Sequence, residues 1–141
     1  MSYQAELLAI ESRFLEAWTA TPVALDEGGP MIDPNSFAIV PQPSASSWVR
    51  LSVRSADERQ ASLGAEPLYR NQGLILVSIF TPPAGGHAAG RGLADAAGAI
   101  FRGAYFEGIT CRGASVRDLG ETEGGWIMTG VDVAYFRDAT H

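Results

Sequence analysis

The chain has 141 residues, 46% hydrophobic and 18% charged, with a formal net charge of -6, which suits one domain, residues 1–141, around one core and excludes a disordered or collagenous chain. No window approaches the roughly 18–20 apolar residues of a membrane span, and the N-terminal MSYQAELLAIESRF carries charges through its apolar stretch, so neither anchor nor signal peptide is expected and the chain should be made in the cytosol. All ten basic residues are Arg, against 16 Asp and Glu, a balance that gives no net drive toward nucleic-acid phosphate.

Residues 3–18 place Leu7, Leu8, Phe14, Leu15 and Trp18 at helical spacing, with Glu6, Glu11, Arg13 and Glu16 between them. That pattern predicts an amphipathic surface helix, with Ser2 as N-cap, ending before Pro22. Residues 22–46 hold five of the eight prolines together with Gly28 and Gly29, so irregular chain is expected there around one short extended piece, Phe37–Val40. From Trp48 to Arg54 the pattern alternates. Val49, Leu51 and Val53 share one face, while Trp48, Arg50, Ser52 and Arg54 share the other, as in a half-buried strand whose second face is wet or meets a partner.

Residues 56–72, ADERQASLGAEPLYRNQ, follow as a 17-residue connection, longer than a compact domain normally leaves uncovered. Its apolar Ala61, Leu63, Leu68 and Tyr69, with Arg70, have the composition of a contact surface. Next, LILVSIFT (Leu74–Thr81) is apolar on both faces and rich in β-branched residues. It is expected to be a central strand covered on both sides, and a domain this small needs a neighbouring subunit to cover one of them. After a turn at Pro82–Gly86, Leu93, Ala96, Ala97, Ile100 and Phe101 form the stripe of a helix pressed on a sheet, stopped by Gly103. A weak strand is predicted within Gly108–Leu119. A strong one follows from Trp126 to Arg137, with Ile127, Val131, Val133 and Tyr135 on one face and Gly120–Gly125 as the intervening turn. The order predicts an α+β fold: a mixed, mostly antiparallel sheet with two helices packed on one face.

Catalytic and metal motifs fail on content. The run Gly85–Gly92 sits where a phosphate loop would, but it lacks the Gly-Lys-Ser/Thr of a P-loop and the G-x-G-x-x-G spacing of a dinucleotide site. His87 has no second histidine near it in sequence and reads as a solvent-exposed residue at a helix start. Cys111, beside Arg112, reads as a small buried hydrophobe. Glu121 and Glu123 lie in a glycine-bounded turn without the ligand spacing of a calcium loop. No catalytic residue, cofactor or metal is expected.

The pieces ASLGAEPLYRNQGLILVSIFTPPAGG, RGLADAAGAIFRG and GGWIMTGVDVAYFRD, preceded by the N-terminal helix, TPVALDEGGP and SSWVRLSV, resemble in order and spacing the tail terminator family of long-tailed bacteriophages. The resemblance covers nearly the whole chain. It implies a non-enzymatic, ring-forming virion subunit, usually six copies, that sits on the last ring of the tail tube once the tape measure has set its length. Such a ring stops tube polymerisation and offers its other face to a head-completion or neck protein at the head–tail junction, after assembly in the host cytoplasm. The implied partners are the chain itself, the tube protein and the neck protein, with DNA passing through the lumen without specific binding. The segment between Pro30 and Ser47 is longer and more Pro-rich than the family pattern.

The residues expected to carry assembly contacts are Leu63, Leu68, Tyr69 and Arg70 in the arm at 56–72, with Trp48, Arg50 and Arg54 on the alternating strand. A neck or head-completion protein would share the small size and ring habit. A ligand-binding domain or small enzyme, using the space beside Gly85–Gly92, and a non-viral oligomeric scaffold are the readings from other classes.

Overall fold

In the computed structural model, which describes residues 3–26, 29–60 and 68–140, helix α1 (Tyr3–Ala17) buries Ala9, Ile10 and Phe14, with Trp18 buried just beyond its end. Two positions depart from the apolar spacing. Leu8 is 53% exposed, whereas Glu6 is buried. The helix is rotated so that Glu6 reaches Arg137 across the core, an ion pair that periodicity of apolar residues does not register. The expected N-cap, Ser2, lies outside the described residues.

The Pro-rich stretch yields two short strands, β1 (Val23–Leu25) and β2 (Met31–Ile32), paired with each other. Phe37–Val40 is not a strand. Asp33 turns the chain back by accepting the Asn35 amide on its carboxylate and the Phe37 amide on its carbonyl, and Phe37 takes a positive φ of 59°. Only the Ile32–Ile39 bridge remains of the expected extended piece.

Strand β3 (Trp48–Gln60) pairs antiparallel with β4 (Leu68–Thr81). Both run well past the expected ends. Glu58, Arg59 and Gln60 pair with Asn71, Arg70 and Tyr69 beyond a bulge at Ser55–Glu58, so the expected 17-residue connection is largely hairpin ladder, and residues 61–67 lie outside the described residues. Backbone hydrogen bonds hold this limb, while the run ADERQ has no apolar residue at alternate positions beyond Ala56, which hides the strand from the sequence.

A single 3₁₀ turn at Pro83–Gly85 leads into α2 (Gly86–Phe101). The glycine run is therefore the first turns of a helix, not a loop. The buried stripe is Gly90, Ala94, Ala97, Gly98 and Phe101, and Ala96 faces solvent, one position off the expected stripe. Small residues win these places because the helix lies close on the sheet: a Cβ on Gly90 would stand 2.5 Å from Thr129 Oγ1. The chain then forms β5 (Tyr105–Phe106), β6 (Ile109–Glu121) and β7 (Ile127–Thr140).

The seven strands make one sheet of order β2-β1-β3-β4-β7-β6-β5. Every neighbouring pair is antiparallel except β1 and β3, which are parallel. The fold is α+β, as the element order predicts. Both helices lie on one face, where Ile10, Phe14 and Trp18 of the α1 region and Ala94, Ala97 and Phe101 of α2 meet Val49, Leu51, Ile75, Ile79, Val131 and Val133. Phe14 stacks between Trp18 (5.2 Å) and Phe101 (6.0 Å), joining the two helices above the sheet.

Candidate assembly surface

Strand alternation sends the other half of β3, β4 and β7 to the face without helices. Across that face run the rows Arg54–Leu74–Ala134, Ser52–Leu76–Asp132, Arg50–Ser78–Gly130 and Trp48–Phe80–Met128. Leu74 is 42% exposed, and Leu76, Ala134 and Phe136 are only half-buried. Apolar groups on an uncovered sheet face are what a subunit leaves for a neighbour to bury. Leu119, itself exposed, folds over Gly130, where a Cβ would stand 3.0 Å from its Cδ1.

Cations frame this face. Arg70 and Arg112 both lie over the Phe136 ring, 4.3 and 5.0 Å from its centroid. Arg70 also donates two hydrogen bonds to Asp138, which hold that carboxyl below its usual range. Arg117 pairs with Asp132 at 2.7 Å. Arg50 lies over both Trp48 and Phe80, whose rings stack at 4.1 Å.

Of the contact residues expected from sequence, Arg50, Arg54 and Arg70 come together on this open face. Trp48 does not offer a free surface. It is 4% exposed, sandwiched by Phe80 and met edge-on by Trp126 at 6.2 Å, and its Nε1 has no hydrogen-bond partner among the described residues. Tyr69 points to the helix side, half-buried. Leu68 pairs with Thr140 through the backbone, its side chain lying outside the described residues as Leu63 does entirely. Sequence reasoning missed Phe136 and Arg112. Leu74 and Leu76 did carry a signal, the two-sided apolarity of LILVSIFT.

On the helix side, two adjoining clefts of about 400 and 380 Å³ run along α1, sharing Arg13 and Glu16. Arg13 is occupied, donating to the Ile100 carbonyl at 2.9 Å and lying over the Phe106 ring. Leu8 and Glu107 line the second cleft, whereas Tyr105, 74% exposed, pairs with Thr110 and so lies on the open-face side.

The tether between α1 and the far limb of the sheet is a buried polar cluster. Glu6 Oε1 accepts from Arg137 Nε at 2.7 Å, and Oε2 accepts from the Tyr135 hydroxyl at 2.9 Å and from Ser55 Oγ at 3.3 Å. Both charged side chains are almost wholly buried, at 1% and 3%. Burial and the adjacent carboxylate push the Tyr135 hydroxyl well above its ordinary pKa, so it remains a donor. Gly73 makes room for it: a Cβ there would stand 2.5 Å from that hydroxyl.

The groups considered for chemistry are dispersed. His87 lies in the first turn of α2 with Nδ1 3.5 Å from Asp118, whose carboxylate is engaged by Arg91. Among the described residues no three His, Cys, Asp or Glu side chains converge on a metal position. Cys111 is buried on β6, and burial pushes its thiol up to about 11. The native protein is therefore expected to resist a thiol reagent at pH 8 and to react at once in denaturant, and rapid labelling of the folded chain would contradict the burial. The sign for stability follows: the folded thiol holds its proton longer than an exposed one, so its contribution is intact below about 9 and lost as pH rises toward about 11.

A family model described as phage tail terminator protein matches residues 7–135 of the chain. No curated protein matches it. One solved structure, known by a sequence identifier alone, superposes with a TM-score of 0.58 at 20% identity, covering 100% of this chain and 96% of that one, a likeness of fold. Among the described residues no helix is long and apolar enough to cross a membrane.

Proposed function

Because the chain belongs to the phage tail terminator family, a family of structural virion proteins, we propose that it closes the growing tail tube as a homo-oligomeric ring and presents the docking surface for the head or neck. The observation that carries this reading is the open sheet face, where Leu74, Leu76 and Phe136 are set among arginines and, among the described residues, no helix or strand covers them. A lone subunit leaves that face wet, and association buries it.

Termination is a capping problem. One end of the ring has to match the tube end, while the other withholds the site that the next tube subunit needs. Apolar anchors supply affinity, and the mismatch supplies the stop. An acidic protein around the lumen lets DNA pass without being held, whereas a basic one would retain it by counterion release.

Leu74→Glu puts a charge on the open face at a position already 42% exposed. The variant is expected to keep a stability within about 0.5 kcal/mol of the parent but to fail in particle assembly. Complementation of particles lacking the protein reads the second effect. Normal tails and full head attachment with Leu74→Glu would contradict a role for this face.

A further inference from the structure

Charge is sorted between the two sides of the sheet. The open face holds Arg50, Arg54, Arg70, Arg112 and Arg117; its carboxylates include Asp132 and Asp138, each already paired with an arginine, and Asp26 lines the cleft that holds Trp48 and Arg50. Arg54 is exposed opposite Leu74, and Arg112 is exposed over Phe136. Since the whole chain carries -6, the surplus of acid lies elsewhere. Part of it borders the helix-side clefts, where Glu16 and Glu107 stand beside exposed Leu8 while the one arginine there, Arg13, is turned inward onto Ile100 and Phe106. Farther along α1, burial and, to a lesser extent, the nearby Asp26 carboxylate raise the pKa of Glu11.

The open face thus carries an excess of arginines and the α1 cleft an excess of glutamates over its inward-turned Arg13, and each surface holds an exposed leucine, Leu74 or Leu8. We propose that the basic open sheet face of one copy seats on the acidic α1 cleft of the next copy, so that a single heterologous contact, repeated, builds the ring. This rests on the ring-forming reading above. Two different surfaces on opposite sides of one subunit cannot make a closed two-fold pair with themselves alone; they make a head-to-tail series that closes when the rotation per step allows. Leu74 and Phe136 against Leu8 provide the apolar burial. Arg54 and Arg112 against Glu16 and Glu107 fix register and speed encounter.

Charge reversal tests the contact on the full chain. Sedimentation of the parent protein across a concentration range should show assembly that weakens by at least about tenfold when salt is raised from roughly 0.05 to 0.5 M, because the contact is charge-steered and screened. The double variant Arg54→Glu/Arg112→Glu and the double variant Glu16→Arg/Glu107→Arg should each remain monomeric, with circular dichroism of the parent. Mixed in equal amounts they should assemble, because the reversed sheet face of one complements the reversed cleft of the other, and the two native surfaces complement each other. Assembly of either variant alone, a mixture that stays monomeric, or a parent chain that is monomeric throughout or indifferent to salt would overturn the proposal. So would DNA binding that Arg54→Glu/Arg112→Glu abolishes while assembly is untouched, which would assign the basic face to nucleic acid. Salt-sensitive rings on a protein that leaves tail length unchanged would refute termination and keep the contact. Rings that survive both reversals would do the opposite.

Discussion

Replacing Glu6 by Ala is expected to cost about 3–5 kcal/mol, because it strands the buried Arg137 guanidinium without its counter-charge and leaves the Tyr135 hydroxyl without its acceptor. Domains of this size have about 5–15 kcal/mol in total, so the variant should sit near the edge of folding. Most of the loss comes from the orphaned partner and not from a large net gain in the pair itself. Glu6→Leu combined with Arg137→Met removes both charges and is expected to recover much of the stability. Urea denaturation of the three proteins measures this directly. A Glu6→Ala variant as stable as the parent would mean that α1 is not tied to β7 through this carboxylate.

Phe101→Ala should be nearly as damaging, at about 3–5 kcal/mol. Phe101 is fully buried at the end of α2, stacked on Phe14 at 6.0 Å and tilted against Phe106 at 6.4 Å. It is the point where both helices, the β5 hairpin and the sheet meet, and none of them can collapse into the cavity without leaving another contact. Tyr105→Ala, one residue away from Phe106 but 74% exposed, is the control and should change stability by less than about 0.5 kcal/mol. Equal losses from the two substitutions, read from the same denaturation curves, would show that the junction is not packed as described.

The strands that alternate or run apolar were legible because burial on one or two faces leaves a pattern of period two. Val49, Leu51, Ile75, Val131 and Val133 all lie on the core face that this pattern assigns. Three things left no such trace. Glu6 is core by virtue of Arg137, which is 131 residues away in the chain, and no local window contains both. The stripe of α2 is set by how closely its backbone lies on Thr129, so glycine and alanine occupy places that a hydrophobicity pattern gives to larger residues. The limb at Ser55–Gln60 is held by ladder pairing beyond a bulge, and its sequence, SADERQ, has no apolar alternation, so it reads as loop.

The candidate surface divides in the same way. Arg50, Arg54 and Arg70 were accessible from alternation and composition, and they do share one face. Trp48 shares the strand parity but is consumed by the chain's own Phe80 and Trp126, contacts that depend on how the turn before β7 folds back. Phe136 was masked by its neighbours: Tyr135 and Arg137 mark the inner face of β7, and the residue between them gains its meaning only from Arg70 and Arg112 on two other strands.

On the proposed function, this subunit ends tube growth and lets the head join. Electron microscopy of particles assembled with and without the gene, scoring tail length and head attachment, tests it most directly. Overlong or headless tails are expected in its absence, with restoration by the parent chain. Tails of normal length, still attached to heads, would contradict it.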